Sequence, residues 1–412
     1  MNGMKIIIIG IFLASTAFGF LLQYLTYTRR NAPLPENVRD VFDEESYKKN
    51  RAYEMENLRF SIAVGIIATI FALLILVFNV HSFLFDWISV YTHSIYLTSL
   101  FIITVPIIIG SVISITSDIY STFVIEEKYG FNKYTAGRYV WDTVKEILLG
   151  IVIGGGLFML FLWLYETIGS GVFIVFFFVL LAFQVVMMFL SPFLIRIFYK
   201  LTPLEDGSLK DKVQDLAVKT GYRFKAIYVV DASKKSTKLN AFAAGFGKTK
   251  TIGLFDTLIE KMSEEEVIAV LAHEIGHAKK GHILTSAPLG FLSLAMIMAA
   301  AFFVVTMPAV SQAFGFIDGN VAFGIYVLFI MVSPLMLLMQ IPSSALSRKH
   351  EYEADAVGKE LAGGDAMISS LKTIYRESFG NLTPHPFVVM MEYSHPPLSE
   401  RVGAIDPDHV SC

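Results

Sequence analysis

Ser263-Glu-Glu-Glu266-Val-Ile-Ala-Val-Leu-Ala-His273-Glu274-Ile-Gly-His277-Ala-Lys-Lys-Gly-His282 is the stretch on which the reading of this chain turns. Ser263 followed three residues later by Glu266 forms a capping box, so a helix starts there, and Val267, Val270 and Leu271 follow at helical spacing. His273 and His277 are then i and i+4 on one face of that helix. Two imidazoles so placed reach one metal ion, and Glu274 lies beside the position they leave open. A zinc ion held by nitrogen and oxygen ligands keeps a water there and lowers its pKa to about 7. Glu274 can take that water's proton and pass it to a leaving amine.

A third ligand is required, and His282, His350, Glu351, Glu353 and His395 are the candidates. In Glu351-Tyr-Glu353-Ala-Asp355, Glu351 and Asp355 share a helix face. Glu351 is expected to bind the metal, and Asp355 to accept the second ring N–H of a ligating histidine, His273 before His277. His282 lies five residues beyond His277, which on a continuous helix is roughly 140° further round. It is expected behind the site or at the surface.

Outward from this helix the chain is greasy. Of 412 residues 54% are hydrophobic and only 17% charged, with mean hydropathy +0.59. Soluble domains carry about a quarter charged residues, so much of the chain belongs in lipid. Runs long enough to cross hydrocarbon lie near Ile6–Thr26, Phe60–Val80, Tyr96–Ser117, Ile147–Tyr165, Gly171–Ile195, Ala287–Met307 and Val321–Pro342. The first is about 21 residues long and lacks a small-residue cleavage site, so it reads as a retained span. Pro106 and Pro334 inside spans read as kinks.

The segment after the first span carries Arg29, Arg30, Arg39, Lys48, Lys49, Arg51 and Arg59, and the loop after the third carries Lys128, Lys133, Arg138 and Lys145. The intervening loops, around His81–Ser94, Glu166 and Pro308–Asn320, carry no Lys or Arg. Positive charge stays inside. The N-terminus is therefore expected outside or in a lumen, and residues 196–286 and 343–412 in the cytoplasm. Whether the membrane is a bacterial inner membrane or the endoplasmic reticulum is left open.

Three units are expected: an N-terminal membrane domain at 1–199 with spans one to five; a cytoplasmic zinc peptidase domain from 200–286 and 343–412; and a membrane hairpin, 287–342, inserted in it. The first cytoplasmic segment reads as a helix Ser208–Thr220, a strand Ala226–Val230, strand-like runs at Asn240–Gly247 and Lys250–Leu254, and the helix from Ser263. The second opens with a helix over Arg348–Ala362 and closes in an irregular Pro-rich stretch, Pro384–Pro397.

The balance of 33 Lys+Arg against 36 Asp+Glu leaves no broad basic surface for nucleic acid. The single cysteine, Cys412, excludes internal disulfides, paired-cysteine redox chemistry and thiolate-rich zinc sites. As the last residue given, it is not expected to be a CAAX acceptor itself. Charge inside the spans is sparse, which argues against a transporter.

HEIGH at 273–277, Glu351-Tyr-Glu-Ala-Asp355 and Ser394-His395-Pro-Pro-Leu-Ser-Glu-Arg401, with seven spans, resemble the type-1 CAAX prenyl endopeptidases, integral-membrane zinc proteases. Phe123-Val-Ile-Glu126-Glu127-Lys-Tyr-Gly-Phe-Asn132-Lys133 is similar to that family's loop after its third span, and Asn240-Ala-Phe-Ala-Ala-Gly245 to its segment ahead of the zinc helix. The resemblance implies a mainly α, multi-pass membrane fold: seven transmembrane helices around a water-filled chamber, with a cytoplasmic α+β zincin-like (gluzincin) domain. It implies one Zn²⁺ held by His273, His277 and Glu351, with Glu274 as general base. It also implies that Asn240 and its strand hold substrate backbone, and that His395 and Arg401 line the substrate carbonyl or C-terminus. Such roles fit edge-strand pairing, oxyanion stabilisation and the Arg fork. Glu126, Glu127 and Asn132 read as a structural loop at the membrane surface.

The expected activity is hydrolysis of peptide bonds near the C-terminus of prenylated (CAAX-type) or membrane-associated polypeptides by a zinc metalloendopeptidase. The alternative is a membrane-protein quality-control zinc protease without a prenyl requirement. In either case the partners are a peptide or protein substrate and the lipid bilayer.

Overall fold

The computed structural model describes residues 2–222, 224, 226–244 and 251–407. Cys412, Lys250 and Gly245–Gly247 lie outside them. The chain is mainly helical. Its helices include, in chain order, α1 (Gly3–Thr28), α2 (Glu44–Val77), α3 (Ile95–Tyr120), α4 (Ala136–Gly150), α5 (Gly156–Ile168), α6 (Val172–Phe198) and α7 (Ser208–Thr220). They continue with α8 (Glu264–Lys280), α9 (His282–Thr306), α10 (Val321–Ala362), α11 (Gly364–Ser378), α12 (Pro386–Glu392) and α13 (Leu398–Ile405).

Among the described residues, six helical stretches are long and apolar enough to cross a membrane. The fourth, Ala136–Phe198, is a run of 63 residues that turns at Gly169, where φ is +57°. It contains both apolar runs that the sequence separates, because the turn between them, Gly169–Gly171, is itself a short 3₁₀ helix. The two arms fold onto each other there: the Phe161 ring packs edge-on against Phe173 and Phe176, with centroids at 5.6 and 5.1 Å. In the most apolar windows only 11–28% of residues are buried inside the protein.

The expected helix over Arg348–Ala362 is not a separate element. It is the last part of α10, 42 residues long, which accommodates Pro334 and Pro342 in its interior. Nor is the Pro-rich stretch irregular throughout: Pro386 opens α12 from the first helical turn, where a missing N–H costs nothing.

The polar part carries a four-stranded sheet, β1 (Leu201–Pro203), β2 (Ala226–Val230), β3 (Ala241–Ala244) and β4 (Thr251–Phe255), in the order β1-β2-β4-β3. β2 and β4 are parallel, and the outer pairs are antiparallel. β3 is therefore an edge strand. Val213 and Leu216 of α7, Leu254 of β4 and Val267, Leu271 and Ile275 of α8 form one buried core that fixes the sheet against α8. A second core joins distant segments: Val38 and Val41, from the connection between α1 and α2, pack with Leu371 of α11 and Leu398 and Val402 of α13.

Candidate metal and catalytic site

α8 begins as its sequence dictates. Ser263 Oγ accepts the Glu266 N–H at 3.2 Å, and Glu266 Oε2 accepts the Ser263 N–H at 2.9 Å. The other Glu266 oxygen accepts from Ser369 at 2.6 Å and Thr373 at 2.9 Å, tying the start of α8 to α11. Burial pushes the Glu266 carboxyl up, but these hydrogen bonds outweigh it and hold the group below its ordinary range.

α8 crosses α10 closely because two small residues permit it. A Cβ added at Gly276 would lie 3.0 Å from Ala354 Cα, and one at Gly358 would lie 3.6 Å from the His273 backbone nitrogen and 2.7 Å from Met367 Sδ of α11. This approach lets side chains one turn apart on α10 reach the histidines of α8. His273 Nε2 and His277 Nε2 are 3.0 Å apart, and Glu351 places an oxygen 3.5 Å from the first and 3.3 Å from the second. Glu351 is 4% exposed, yet its buried Oε2 has no hydrogen-bond partner.

These donors fit a metal. Two ligands about 2 Å from one ion sit roughly 3.3 Å apart, which is the spacing here, and two imidazole nitrogens with a buried carboxylate are a donor set that suits zinc. Burial opposes a proton on His277, but the hydrogen bond and charge of Glu351 outweigh it and raise the His277 pKa. The pocket thus favours positive charge at that point. Among the described residues, His273, His277 and Glu351 form the one group of three whose ligand atoms all lie within 4.8 Å of one another.

Glu274 opens on a cavity of about 470 Å³, together with Asn240, Glu351, Tyr375, His395 and Arg401. Burial raises the Glu274 pKa, and the nearby histidines only partly counter it. A carboxylate so raised suits a group that must accept and release a proton near neutrality.

The remaining expected residues occupy distinct places. Asp355 Oδ1 lies 2.9 Å from His273 Nδ1, close but off the ideal hydrogen-bond line. His395 is at the cavity wall, its side chain 60% exposed, with Nε2 3.5 Å from Glu351 Oε1 and Nδ1 2.9 Å from Ser394 Oγ. Desolvation by the cavity walls nonetheless lowers its pKa, which favours the neutral imidazole. Asn240 sits just before edge strand β3; its Oδ1 accepts the Ala241 N–H at 2.9 Å, and its carbonyl accepts from Phe255.

Arg401 lines the cavity and is also tied to the protein's own carboxylates. It is 5% exposed and forks onto Asp355, Nε to Oδ2 at 2.7 Å and Nη2 to Oδ1 at 2.6 Å, with Nη1 3.4 Å from Glu351 Oε2. Its planar donors are thus engaged by the protein's own carboxylates before any substrate arrives.

His282 lies behind the site, one of the two places expected, but not by way of a continuous helix. Gly281, at φ +68°, ends α8, so no continuous helix carries the chain from 277 to 282. The His282 ring turns back, with Nδ1 2.8 Å from His277 Nδ1 and Nε2 3.1 Å from Glu353 Oε2. His350 stacks on it at 4.0 Å. Lys279-Lys280-Gly281, basic residues and then glycine, is a helix-stop signal that would have exposed this turn.

Comparison with known proteins completes the description. Residues 23–200 match the family "CAAX prenyl protease N-terminal, five membrane helices", and residues 203–408 match "Peptidase family M48". The chain is 31% identical to the CAAX prenyl protease 1 of Saccharomyces cerevisiae, over 98% of this chain and 95% of the other. It is 27% identical to the human CAAX prenyl protease 1 homolog, over 90% and 88% of the two chains. The crystal structure of S. mikatae Ste24p superposes with a TM-score of 0.92 at 29% identity, covering 98% of this chain and 100% of that one.

Proposed function

The chain belongs to peptidase family M48, in its CAAX prenyl protease branch, and is an integral-membrane metallopeptidase; from that premise we propose that it is a zinc endopeptidase cutting near the C-terminus of prenylated polypeptides at the membrane surface. One observation carries this reading: His273, Glu274 and Glu351 line one cavity, His277 completes the three-ligand group beside it, and Glu351 stands on a helix continuous with an apolar span. Glu351 is nine residues beyond Pro342 on an unbroken helix, hence roughly 14 Å along its axis. α9 starts two residues after α8 ends.

We take His273, His277 and Glu351 as the ligands of a single zinc ion. When bound, that ion supplies a Lewis acid and lowers the pKa of water. Glu274 takes the proton of the attacking water and delivers it to the departing amine nitrogen. Neutral His395 donates a hydrogen bond to the substrate carbonyl oxygen as charge grows on it. Asn240 and the edge of β3 align the substrate backbone as an added strand. Asp355 fixes the orientation of His273, and Arg401 holds Asp355 in place.

The same reading has seven crossings, counting the Ala136–Phe198 run as two, around a space open to the isoprenoid, with the peptidase part cytoplasmic. The Lys/Arg asymmetry of the loops supports that orientation, and the low burial of the spans supports a loosely filled bundle.

The test is the purified Glu274→Gln enzyme. It should retain zinc and lose 10²–10⁴-fold or more in cleavage of a farnesylated peptide, the range of general acid–base catalysis. Wild-type turnover in that variant would refute the mechanism. Equal kcat/KM for matched farnesylated and unmodified peptides would favour the quality-control role.

A further inference from the structure

The loop after the third apolar stretch, read from sequence as a surface feature, is bonded to the segment that leads into β3. The Lys133 N–H donates to the Lys235 carbonyl at 3.0 Å, and the Thr237 N–H donates to the Phe131 carbonyl at 3.1 Å. Arg138 Nη1 donates to the Lys234 carbonyl at 3.2 Å. Asn132 and Ser236 pair as an isolated antiparallel bridge. The N-terminal membrane part thus extends the backbone pairing of residues 235–237, just ahead of Asn240.

Side chains close the same junction. Lys238 Nζ lies 3.0 Å from Glu126 Oε2 and donates to Tyr53 Oη, also at 3.0 Å, while Tyr53 Oη donates to Glu126 Oε1 at 2.5 Å. The ammonium lies over the Phe131 ring, 4.9 Å from its centroid. Tyr53 packs edge-on with Tyr129, Phe131 and Phe379. On its other side the segment is held by Thr257 Oγ1, which donates to the Lys238 carbonyl at 3.0 Å. Leu239, Asn240 and Ala241 come next in the chain, and all three line the catalytic cavity.

A salt bridge to a distant element would be unremarkable if its residue led nowhere. Lys238 is two residues from Asn240, and a strand residue advances the chain by about 3.3 Å. A shift at Lys238 is therefore passed directly to the strand edge. Among the described residues β3 is last in the sheet, with no strand on its outer side. What fixes its position is β4 on one flank and the Glu126–Lys238–Tyr53 junction at its base.

We propose that Glu126, Lys238 and Tyr53 are positioning residues for substrate binding: the N-terminal membrane part sets the register of the substrate-pairing edge through them, so the peptidase part has no complete binding site without it. This rests on the reading of β3 as the substrate-aligning strand. The junction touches neither the metal ligands nor Glu274, so its loss acts on peptide binding and spares the chemical step.

Steady-state kinetics on a farnesylated peptide test this in the full-length detergent-purified enzyme, with zinc content and thermal unfolding measured on the same samples. Glu126→Gln and Lys238→Met are each expected to raise KM about five- to tenfold, the effect a coupled, partly buried pair translates into. kcat should stay within about twofold, with zinc stoichiometry unchanged. Lys238→Arg, which keeps the charge, should restore most of the loss. The swap Glu126→Lys with Lys238→Glu should give a lower KM than either single charge reversal. A fall in kcat and zinc content at constant KM would overturn the proposal, since that is what a general structural role produces. Asn240→Ala separates the two layers: a raised KM there with none in Glu126→Gln defeats the junction alone, whereas an unchanged KM there defeats the substrate-strand reading and the inference with it. Should Lys238→Met not fold, the Glu126→Gln and Lys238→Arg pair decides the same question.

Discussion

His273 and His277 stand one turn apart on one helix, yet the surroundings to which they turn their second nitrogens share almost nothing. Behind His273 are Asp355 and Arg401, 1% and 5% exposed, locked by a two-point ion pair. Behind His277 are another imidazole, His282, and then Glu353, whose side chain is 35% exposed. One half of the site is closed by fixed charges in a dry interior, and the other by a relay that ends near solvent. A buried charge pair has no competing partner and holds its geometry; a relay open to water can re-form with water in place of a lost group. The closed half should therefore be brittle and the open half forgiving.

The largest expected effect tests the brittle side. Arg401→Ala leaves Asp355 ionised, buried and without its fork, and breaking a buried pair by removing one partner costs about 3–5 kcal/mol. The variant should lose zinc and unfold at much lower temperature, as read by metal analysis and thermal unfolding of the purified protein. Arg401→Lys keeps the charge without the fork and should recover only part of the loss. If Arg401→Ala were as stable as wild type and only KM rose, the guanidinium would be a substrate ligand after all.

A second lesion strikes the contact that brings both halves together. Gly276→Ala would set a methyl 3.0 Å from Ala354 Cα and 3.1 Å from its carbonyl oxygen, backbone atoms that cannot turn aside. The helices must separate, at a cost of about 1–3 kcal/mol, and Glu351 retreats from both histidines. Zinc affinity and kcat should fall together, and an unchanged affinity would mean that α8 and α10 tolerate more spacing than their packing implies.

How much of this was legible beforehand follows from the range of the signals. The capping box, the i, i+4 histidines and the Glu351/Asp355 pair are local patterns, and each is where its spacing places it. The strand Ala226–Val230 and the helix Ser208–Thr220 were also legible as local periodicity. What escaped is long-range or depends on a break. Arg401 is expected at the substrate, and only the fold shows its ion pair with Asp355, 46 residues back. The Glu126–Lys238 junction spans 112 residues. His282 is behind the site, one of the two places expected, but the break at Gly281 that turns it onto His277 was not foreseen, nor was the single helix that joins the last span to Arg348–Ala362.

The forgiving side is tested by His282→Ala. Removing a group that orients a metal ligand typically costs 10–100-fold in affinity, and with water able to enter beside half-exposed Glu353 the low end, about tenfold, is expected. Asp355→Asn on the closed side should approach the high end. Chelator-competition titrations of both variants measure the ratio directly. Equal losses would erase the distinction between the halves.

The smallest effect concerns the start of α8, which the closed side also governs through Ser369 and Thr373 of α11. Glu266 has its pKa held below the ordinary glutamate range, since those hydrogen bonds and the capping box outweigh its burial. A carboxyl depressed in the folded state contributes stability above its unfolded pKa, and that contribution is lost as pH falls through the folded value. The window therefore opens near pH 4.5 and extends downward. Glu266→Gln keeps a side chain able to cap but carries no charge, so at pH 7 it should be less stable by about 0.5–1 kcal/mol. As pH is lowered from 6 toward 3.5, the melting temperatures of wild type and variant should converge, because the wild-type advantage titrates away while the variant has none to lose. Metal loss in acid affects both proteins alike and cancels in the difference. Parallel curves across that range would mean that the Glu266 charge does not hold α8 to α11, and that the closed half of the site is fixed at Arg401 alone.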